Sequence, residues 1–207
     1  MSEDTEDPLL AWGSFLENVE KATSRPGIGY GNAGSEGFNM AGRHVLTLLQ
    51  DAATAYGAGS FGTATFLAIT ALEETAKADM LSFRRDKGDQ AKPKGRDPLR
   101  DHVAKHRIAV RPTVWMGERL VKAIGRDRCL AIKAEIEAGG LTELREASLY
   151  VSFGDRAITS PATAVEQPRA REILLIAIEA ADDILIGSTN GSWDWKDPLE
   201  VLFGVVS

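Results

Sequence analysis

The chain has 207 residues, 43% of them hydrophobic and 26% charged, and a formal net charge of −6. These values are typical of a soluble globular protein with one sizeable core, and the acidic balance argues against non-specific nucleic-acid binding. The single cysteine cannot form an internal disulfide, the acidic N-terminus lacks the basic and apolar regions of a signal peptide, and no apolar run is long enough to span a bilayer, so we expect a cytoplasmic protein without a membrane segment.

Two helices are predicted at the start of the chain, over residues 7–24 and 35–56, where apolar residues recur at the three-and-four spacing of a helix. The glycine-rich stretch between them, residues 25–34, does not follow a predicted strand and lacks a GKS or GKT ending. A phosphate-binding loop is therefore excluded there. Gly57 and Gly59 end the second helix so close to the next one that we expect the two to be antiparallel neighbours.

The third predicted helix, residues 60–85, organises the rest of the chain because it has apolar residues on two flanks. Its buried stripe is predicted to run as far as Phe83. Glu73 lies at the edge of this stripe, and two interpretations of it are open. It is either an edge carboxylate that pairs with Lys77 one turn later, or a carboxylate held near a functional site by the surrounding core.

Positive charge is concentrated in the next segment. From Arg84 to Arg111 there are ten Lys or Arg and four Asp or Glu, a balance of +6, whereas the rest of the chain has fourteen and twenty-six, a balance of −12. This segment is either a solvated loop with a helix face or a site for an anion or RNA phosphate. Asp97 followed by Pro98 predicts the start of a fourth helix, which Pro112 must kink or end.

The remaining pattern is helical as well, without the alternation that is typical of strands. Helices are predicted at about residues 113–124, 126–138, 141–150 and 168–186. Residues 151–167 are expected to be irregular, and the apolar side chains of the tail, residues 188–207, need cover from the body of the protein or from another chain. We therefore predict an all-α, single-domain helical bundle over residues 1–207, with core helices from about 7 to 187.

His102 and His106 are one turn apart, so both imidazoles share a helix face. Such a pair can ligate a metal ion with Glu73 as the third ligand, although Val103 stands where HExxH has its glutamate. A second interpretation is metal-free acid–base chemistry on a ribose hydroxyl, assisted by an arginine that stabilises the phosphate charge. The third is that both histidines only cover the core edge.

Two spacings of the form Arg-x5-His occur, from Arg96 to His102 and from Arg100 to His106. In both, the residue after the arginine is an aspartate. The sequence alone does not choose between them, so the identity of the arginine that would assist catalysis stays open.

Three segments, in this order, resemble the AbiV-type abortive-infection family. They are N-x-A-x-R from Asn39 with A-x-x-A-L-E-E-x-x-K ending at Lys77, then R-D-H-V-A-K at Arg100 to Lys105, then L-R-E-A-S-L-Y-V ending at Val151. The resemblance extends over roughly residues 39–161. It implies phage resistance and a helical fold similar to the HEPN (higher eukaryotes and prokaryotes nucleotide-binding) domains. Many HEPN proteins are metal-independent ribonucleases with an Arg-x4-6-His motif in a homodimer.

The resemblance also implies which residues are functional. The family motif marks Asn39, Glu73, Glu74, Lys77, His102, Lys105, Arg145, Glu146 and Tyr150. The ribonuclease motif implies that Arg96 or Arg100 stabilises phosphate and that His102 or His106 moves a proton, while Glu73 and Lys77 position them.

On this basis we expect a phage-defence protein that forms a homodimer, cuts RNA and needs no cofactor. One alternative is a non-enzymatic helical module that binds a phage or host protein through its apolar tail or through residues 151–167. The other alternative is a bundle that binds a metal ion with Glu73, His102 and His106.

Overall fold

The computed structural model describes residues 8–24, 34–84, 96–153 and 158–207. The predicted glycine-rich loop, apart from its last residue, lies outside these ranges. Helices dominate them, which confirms the predicted all-α bundle. The bounds are α1 Pro8–Thr23, α2 Gly34–Gly57, α3 Phe61–Phe83, α4 His102–Ala109, α5 Pro112–Met116, α6 Glu118–Ile124, α7 Arg126–Ala138, α8 Gly140–Ala147, α9 Pro161–Ala164, α10 Gln167–Leu185 and α11 Lys196–Val206, with 3-10 helices at Pro98–Arg100 and Asn190–Trp195. None of the described helices is both long and apolar enough to cross a membrane.

α3 lies at the centre of the bundle. It packs most extensively against α2 and α10, and α4 and α8 also contact it. The short connection from α2 folds back on itself at Gly59, whose φ of +77° is one that glycine adopts without strain. Because several elements cover α3, side chains on more than one of its faces are buried, as the two apolar flanks predicted.

The predicted start of the fourth helix was wrong. Asp97 accepts a hydrogen bond from the Leu99 backbone N–H at 3.0 Å, but it begins only a short 3-10 turn. Asp101 then adopts an extended conformation and caps α4 by accepting from the Ala104 N–H at 3.0 Å. The helix that carries both histidines therefore begins at His102.

Arg84 explains a second error, the prediction that Phe83 is buried. Phe83 is 58% exposed, and the buried side chain at this end of α3 is that of Arg84. Its Nε donates to the Ala22 carbonyl at 2.8 Å, and its two terminal nitrogens donate to the Asp97 carboxylate at 2.9 and 2.5 Å. This bidentate ion pair ties the segment before α4 to the ends of α1 and α3.

Two further boundaries differ from the prediction. The helix expected over residues 113–124 is interrupted at Gly117, where the backbone is extended, and so forms α5 and α6. A short antiparallel hairpin, Ser152–Phe153 with Ile158–Thr159, lies where no strand was predicted. A two-residue strand is too short to produce the alternating pattern by which strands are recognised.

The tail, for which no secondary structure was predicted, forms a 3-10 helix and α11, which pack on α10 and α2. Trp195, Leu199 and Phe203 are buried, so the body of the same chain supplies their cover. Asn39 of α2 helps to hold this segment because its Oδ1 accepts a hydrogen bond from Thr189 Oγ1 at 2.5 Å.

The contact between Trp195 and Gly42 yields a prediction. A Cβ atom at position 42 would lie 2.3 Å from two atoms of the Trp195 ring, so Gly42→Ala must displace the indole. We expect this substitution to lower the free energy of unfolding by about 1–3 kcal/mol, as overpacking does. Urea denaturation measures the change.

Gly204→Ala in α11 is the matched control, because the added Cβ meets no described atom within 4 Å apart from its chain neighbours and the nearby backbone of its own helix. Alanine favours helix by up to about 1 kcal/mol over glycine, so this variant should be at least as stable as the wild type. Equal destabilisation by the two substitutions would contradict the packing argument.

Candidate functional site

A polar cluster surrounds Glu73 in the middle of α3, where only 4% of this residue is exposed. Its Oε1 accepts hydrogen bonds from His102 Nδ1 at 2.7 Å and His106 Nε2 at 3.1 Å. Its Oε2 accepts from the ammonium of Lys105, which is also buried. The three donors occupy the first, fourth and fifth positions of α4, so one face of that helix meets the carboxylate.

Lys77 does not pair with Glu73, so the interpretation of Glu73 as an edge carboxylate was wrong. Lys77 donates instead to Glu74 at 2.5 Å, on a more exposed part of α3. Burial of Glu73 against α4 leaves its oxygens directed at the α4 donors. The other interpretation was a carboxylate held near a functional site by the surrounding core, and the burial that it requires is observed.

The charge of Glu73 depends on two opposing effects. Burial by itself would raise its pKa, because a carboxylate loses hydration in the core. The hydrogen bonds from His106, Lys105 and His102, together with the positive charge of Lys105, outweigh burial and lower the pKa from 4.5 to about 2. Glu73 is therefore ionised at neutral pH.

An ionised carboxylate only accepts hydrogen bonds, so His102 must carry a hydrogen on Nδ1 and His106 on Nε2. In neutral His102 this leaves Nε2, the other ring nitrogen, free to accept a proton. The His102 side chain is 41% exposed, so a ligand can reach it. His106 is fully buried, and its Nδ1 has no hydrogen-bond partner among the described residues.

The arginine near the histidines is not one of those that the sequence singled out. Arg96 and Arg100 are exposed, and Arg96 donates to the Arg100 carbonyl at 2.9 Å. Neither forms a hydrogen bond or ion pair with the described residues of the cluster. Arg145 of α8 does approach it, with Nε 3.7 Å from Glu73 Oε1 and the guanidinium 4.9 Å from the centre of the Phe66 ring.

The other residues that the family motif marks lie apart from the cluster. Asn39 holds the C-terminal segment, and Glu74 pairs with Lys77. Glu146 is exposed on α8, and Tyr150 is exposed just after the end of that helix.

Sequence reasoning assigned no role to Phe66, whose ring packs against the guanidinium of Arg145. Nothing in the pattern of α3 marks a position that α8 will cover.

The geometry differs from the arrangement that the metal-binding hypothesis predicts. The imidazole nitrogens of His102 and His106 are directed at a carboxylate oxygen at hydrogen-bond distances, rather than at a shared third point. The ammonium of Lys105 occupies the other oxygen of Glu73. Over the described ranges, no three His, Cys, Asp or Glu side chains are placed to hold one ion.

The chain matches a known family. The HEPN_AbiV family model, described as AbiV, matches residues 35–181. No curated protein and no solved structure matches the chain. The matched range contains Glu73, His102, Lys105, His106 and Arg145, so it includes the whole polar cluster.

The pKa of Glu73 predicts how acid affects stability. Since the folded-state pKa is about 2 and the ordinary value is 4.5, ionised Glu73 stabilises the folded state. A shift of this size corresponds to about 3 kcal/mol. The stabilisation is complete above about pH 4.5 and is lost as the pH falls towards 2. The difference in free energy of unfolding between the wild type and Glu73→Gln should therefore shrink over this range.

Urea denaturation of both proteins at a series of pH values measures that difference. Glu146→Gln, a change at an exposed carboxylate on α8, is the control and should stay within about 0.5 kcal/mol of the wild type. A Glu73→Gln difference that is constant or grows as the pH falls below 4.5 would contradict the assignment.

Proposed function

The chain belongs to the AbiV family of HEPN proteins, and on this premise we propose that it is an abortive-infection protein that acts as a metal-independent ribonuclease. Family membership indicates phage defence. The ribonuclease activity is inferred from one observation, the hydrogen bond of 2.7 Å between the buried, ionised Glu73 and Nδ1 of the exposed His102.

In this proposal His102 is the catalytic residue. Its Nε2 takes the proton of a ribose 2′-hydroxyl, the 2′-oxygen forms a bond to the adjacent phosphorus, and the bond from phosphorus to the 5′-oxygen breaks. The imidazolium then gives its proton to that leaving oxygen. The products are a 2′,3′-cyclic phosphate and a 5′-hydroxyl, so protons and bonds balance.

Glu73 is a positioning residue in this reaction. Its bond to Nδ1 selects the tautomer of His102 that has a free Nε2 and holds the ring in place. Its negative charge also stabilises the imidazolium that forms when Nε2 takes a proton. Lys105 and His106 hold the Glu73 carboxylate from the buried side, so the pair formed by Glu73 and His102 is preorganised before RNA binds.

We further propose that the protein acts in the cytoplasm as a homodimer, as many HEPN proteins do. Membership of the AbiV family supports an assembly of this kind. Sedimentation equilibrium at the concentration used for cleavage tests it, and a monomer that cuts RNA at full rate would contradict it.

Removal of the His102 imidazole should abolish most of the activity. We expect purified His102→Ala to cut single-stranded RNA about a hundredfold more slowly than the wild type or worse, because general acid–base catalysis contributes about 10²–10⁴-fold. Cleavage by the wild type should survive a chelator. Gel analysis of labelled RNA measures both rates.

His44→Ala is the matched control, since His44 is exposed on α2 and lies outside the Glu73 cluster. It should cut RNA at the wild-type rate. A folded wild type that cuts no RNA, alone or with a lysate of infected cells, would remove the ribonuclease proposal. Equal loss in the two histidine variants would remove the assignment of His102.

A second candidate function, binding of a phage or host protein, is favoured by an apolar surface around the hairpin. Five large hydrophobic residues near this turn of the chain are exposed: Leu149, Tyr150, Val151, Phe153 and Ile158. The exposed fractions of Phe153 and Ile158 are 78% and 69%. Apolar side chains that are exposed together in this way commonly mark interaction sites.

If a protein partner docks on this surface, the double change Phe153→Ser and Ile158→Ser should abolish protection of cells against phage while cleavage of RNA by the purified protein continues. Serine removes the apolar area that would drive docking. Plaque counts and the RNA assay measure the two effects.

Val201→Ser on α11 is the control, because Val201 is 65% exposed but belongs to another element. It should leave protection unchanged. Full protection by the hairpin variant would exclude the docking function, and parallel loss of cleavage and protection would assign the hairpin to RNA instead.

A further inference from the structure

Arg145 is held in place and yet makes no hydrogen bond to the part of the chain that the structure describes. Its guanidinium packs over Phe66 at 4.9 Å, and its Nε lies 3.7 Å from Glu73 Oε1. Nε is buried and has no hydrogen-bond partner among the described residues. No hydrogen bond from its other nitrogens to those residues is seen either, and 26% of the side chain is exposed. A guanidinium has five N–H donors, so the guanidinium of Arg145 is available to bind an acceptor.

The charges around Arg145 favour an anion as that acceptor. Both oxygens of Glu73 already accept hydrogen bonds from α4, and Lys105 balances the Glu73 charge. Glu73, Lys105 and Arg145 together therefore carry one surplus positive charge, and the partly exposed member of the three is Arg145. Arginine in such a position binds phosphate oxygens with paired, charge-assisted hydrogen bonds.

Arg145 also lies beside the catalytic histidine. His102 Nδ1 and Arg145 Nε are 2.7 and 3.7 Å from the same oxygen of Glu73. The separation of the two nitrogens therefore cannot exceed the sum of these two distances. The guanidinium of Arg145 and the imidazole of His102 are therefore neighbours, and both side chains are partly exposed.

We propose that Arg145 and His102 form a subsite for the phosphodiester oxygens of a single-stranded RNA substrate. This inference rests on the proposed ribonuclease function and names the group that binds the substrate there. It assigns the arginine of the site to α8, rather than to Arg96 or Arg100 in the basic segment.

The experiment is a titration of the protein with inorganic phosphate, in which NMR follows the His102 ring signals at constant pH. Sodium chloride at matched ionic strength is the blank. The wild type should show a saturable shift, and Arg145→Ala should bind phosphate about tenfold more weakly or worse, since it loses charge-assisted hydrogen bonds. Arg145→Lys keeps the charge but not the paired geometry, so its affinity should be intermediate.

Circular dichroism and urea denaturation establish whether each variant is folded. If Arg145→Ala is not folded, Arg145→Lys replaces it as the test variant. Arg43→Ala, at an exposed arginine of α2, should bind phosphate as the wild type does. The inference is overturned if the wild type shows no saturable shift or if Arg145→Ala binds normally. It is equally overturned if Arg96→Ala or Arg100→Ala loses binding in its place.

A short oligoribonucleotide distinguishes the two sources of phosphate. If it displaces inorganic phosphate from His102, the subsite serves the RNA backbone as proposed; if both bind together, the subsite serves a small phosphate compound and the proposal fails. The outcome is separable from that of the ribonuclease assay. Displacement without cleavage supports the subsite but not the enzyme, and cleavage that Arg145→Ala does not slow overturns the subsite alone.

Discussion

The buried charge of Glu73 is the constraint on which this part of the structure depends. Removal of a carboxylate from water costs several kcal/mol unless donors and opposite charges replace the lost hydration. α3 has no such groups of its own to offer, because its lysine at position 77 pairs with Glu74. The compensation comes from Lys105, His102 and His106, so α3 can bury its carboxylate only when α4 is docked in one register.

The elements before α4 hold that register. Arg84, at the end of α3, binds Asp97 with two hydrogen bonds and reaches the last turns of α1 through the Ala22 carbonyl. Asp101 then caps α4 one residue before His102. These contacts restrain the start of the helix, and Glu73 restrains its inner face. A histidine placed in this way needs little reorganisation, which suits the role of base that we propose for His102.

A second buried glutamate shows why the surroundings of Glu73 matter. Burial raises the pKa of Glu179 on α10, and the nearby Asp182 and Asp183 act in the same direction, while Arg119 opposes them. Arg119 also pairs with Asp182 and Glu200 and packs over Phe203, so its one charge is shared among several acids. Glu73 has several donors to itself, whereas Glu179 shares its donor, Arg119, with other acids. The cluster around Glu73 is suited to orient a histidine, and the cluster around Glu179 joins α6, α10 and α11.

Local sequence determined the helical character of the chain and the one-turn spacing of His102 and His106, because helical periodicity and cap residues act between near neighbours in the chain. It did not determine which cation meets which anion. One of the two open interpretations paired Glu73 with Lys77, but Glu73 lies against Lys105, and the arginine beside the cluster is Arg145 rather than Arg96 or Arg100. Those pairings join residues 32 or more positions apart. They arise only when α4 and α8 pack on α3, and no local pattern encodes that packing.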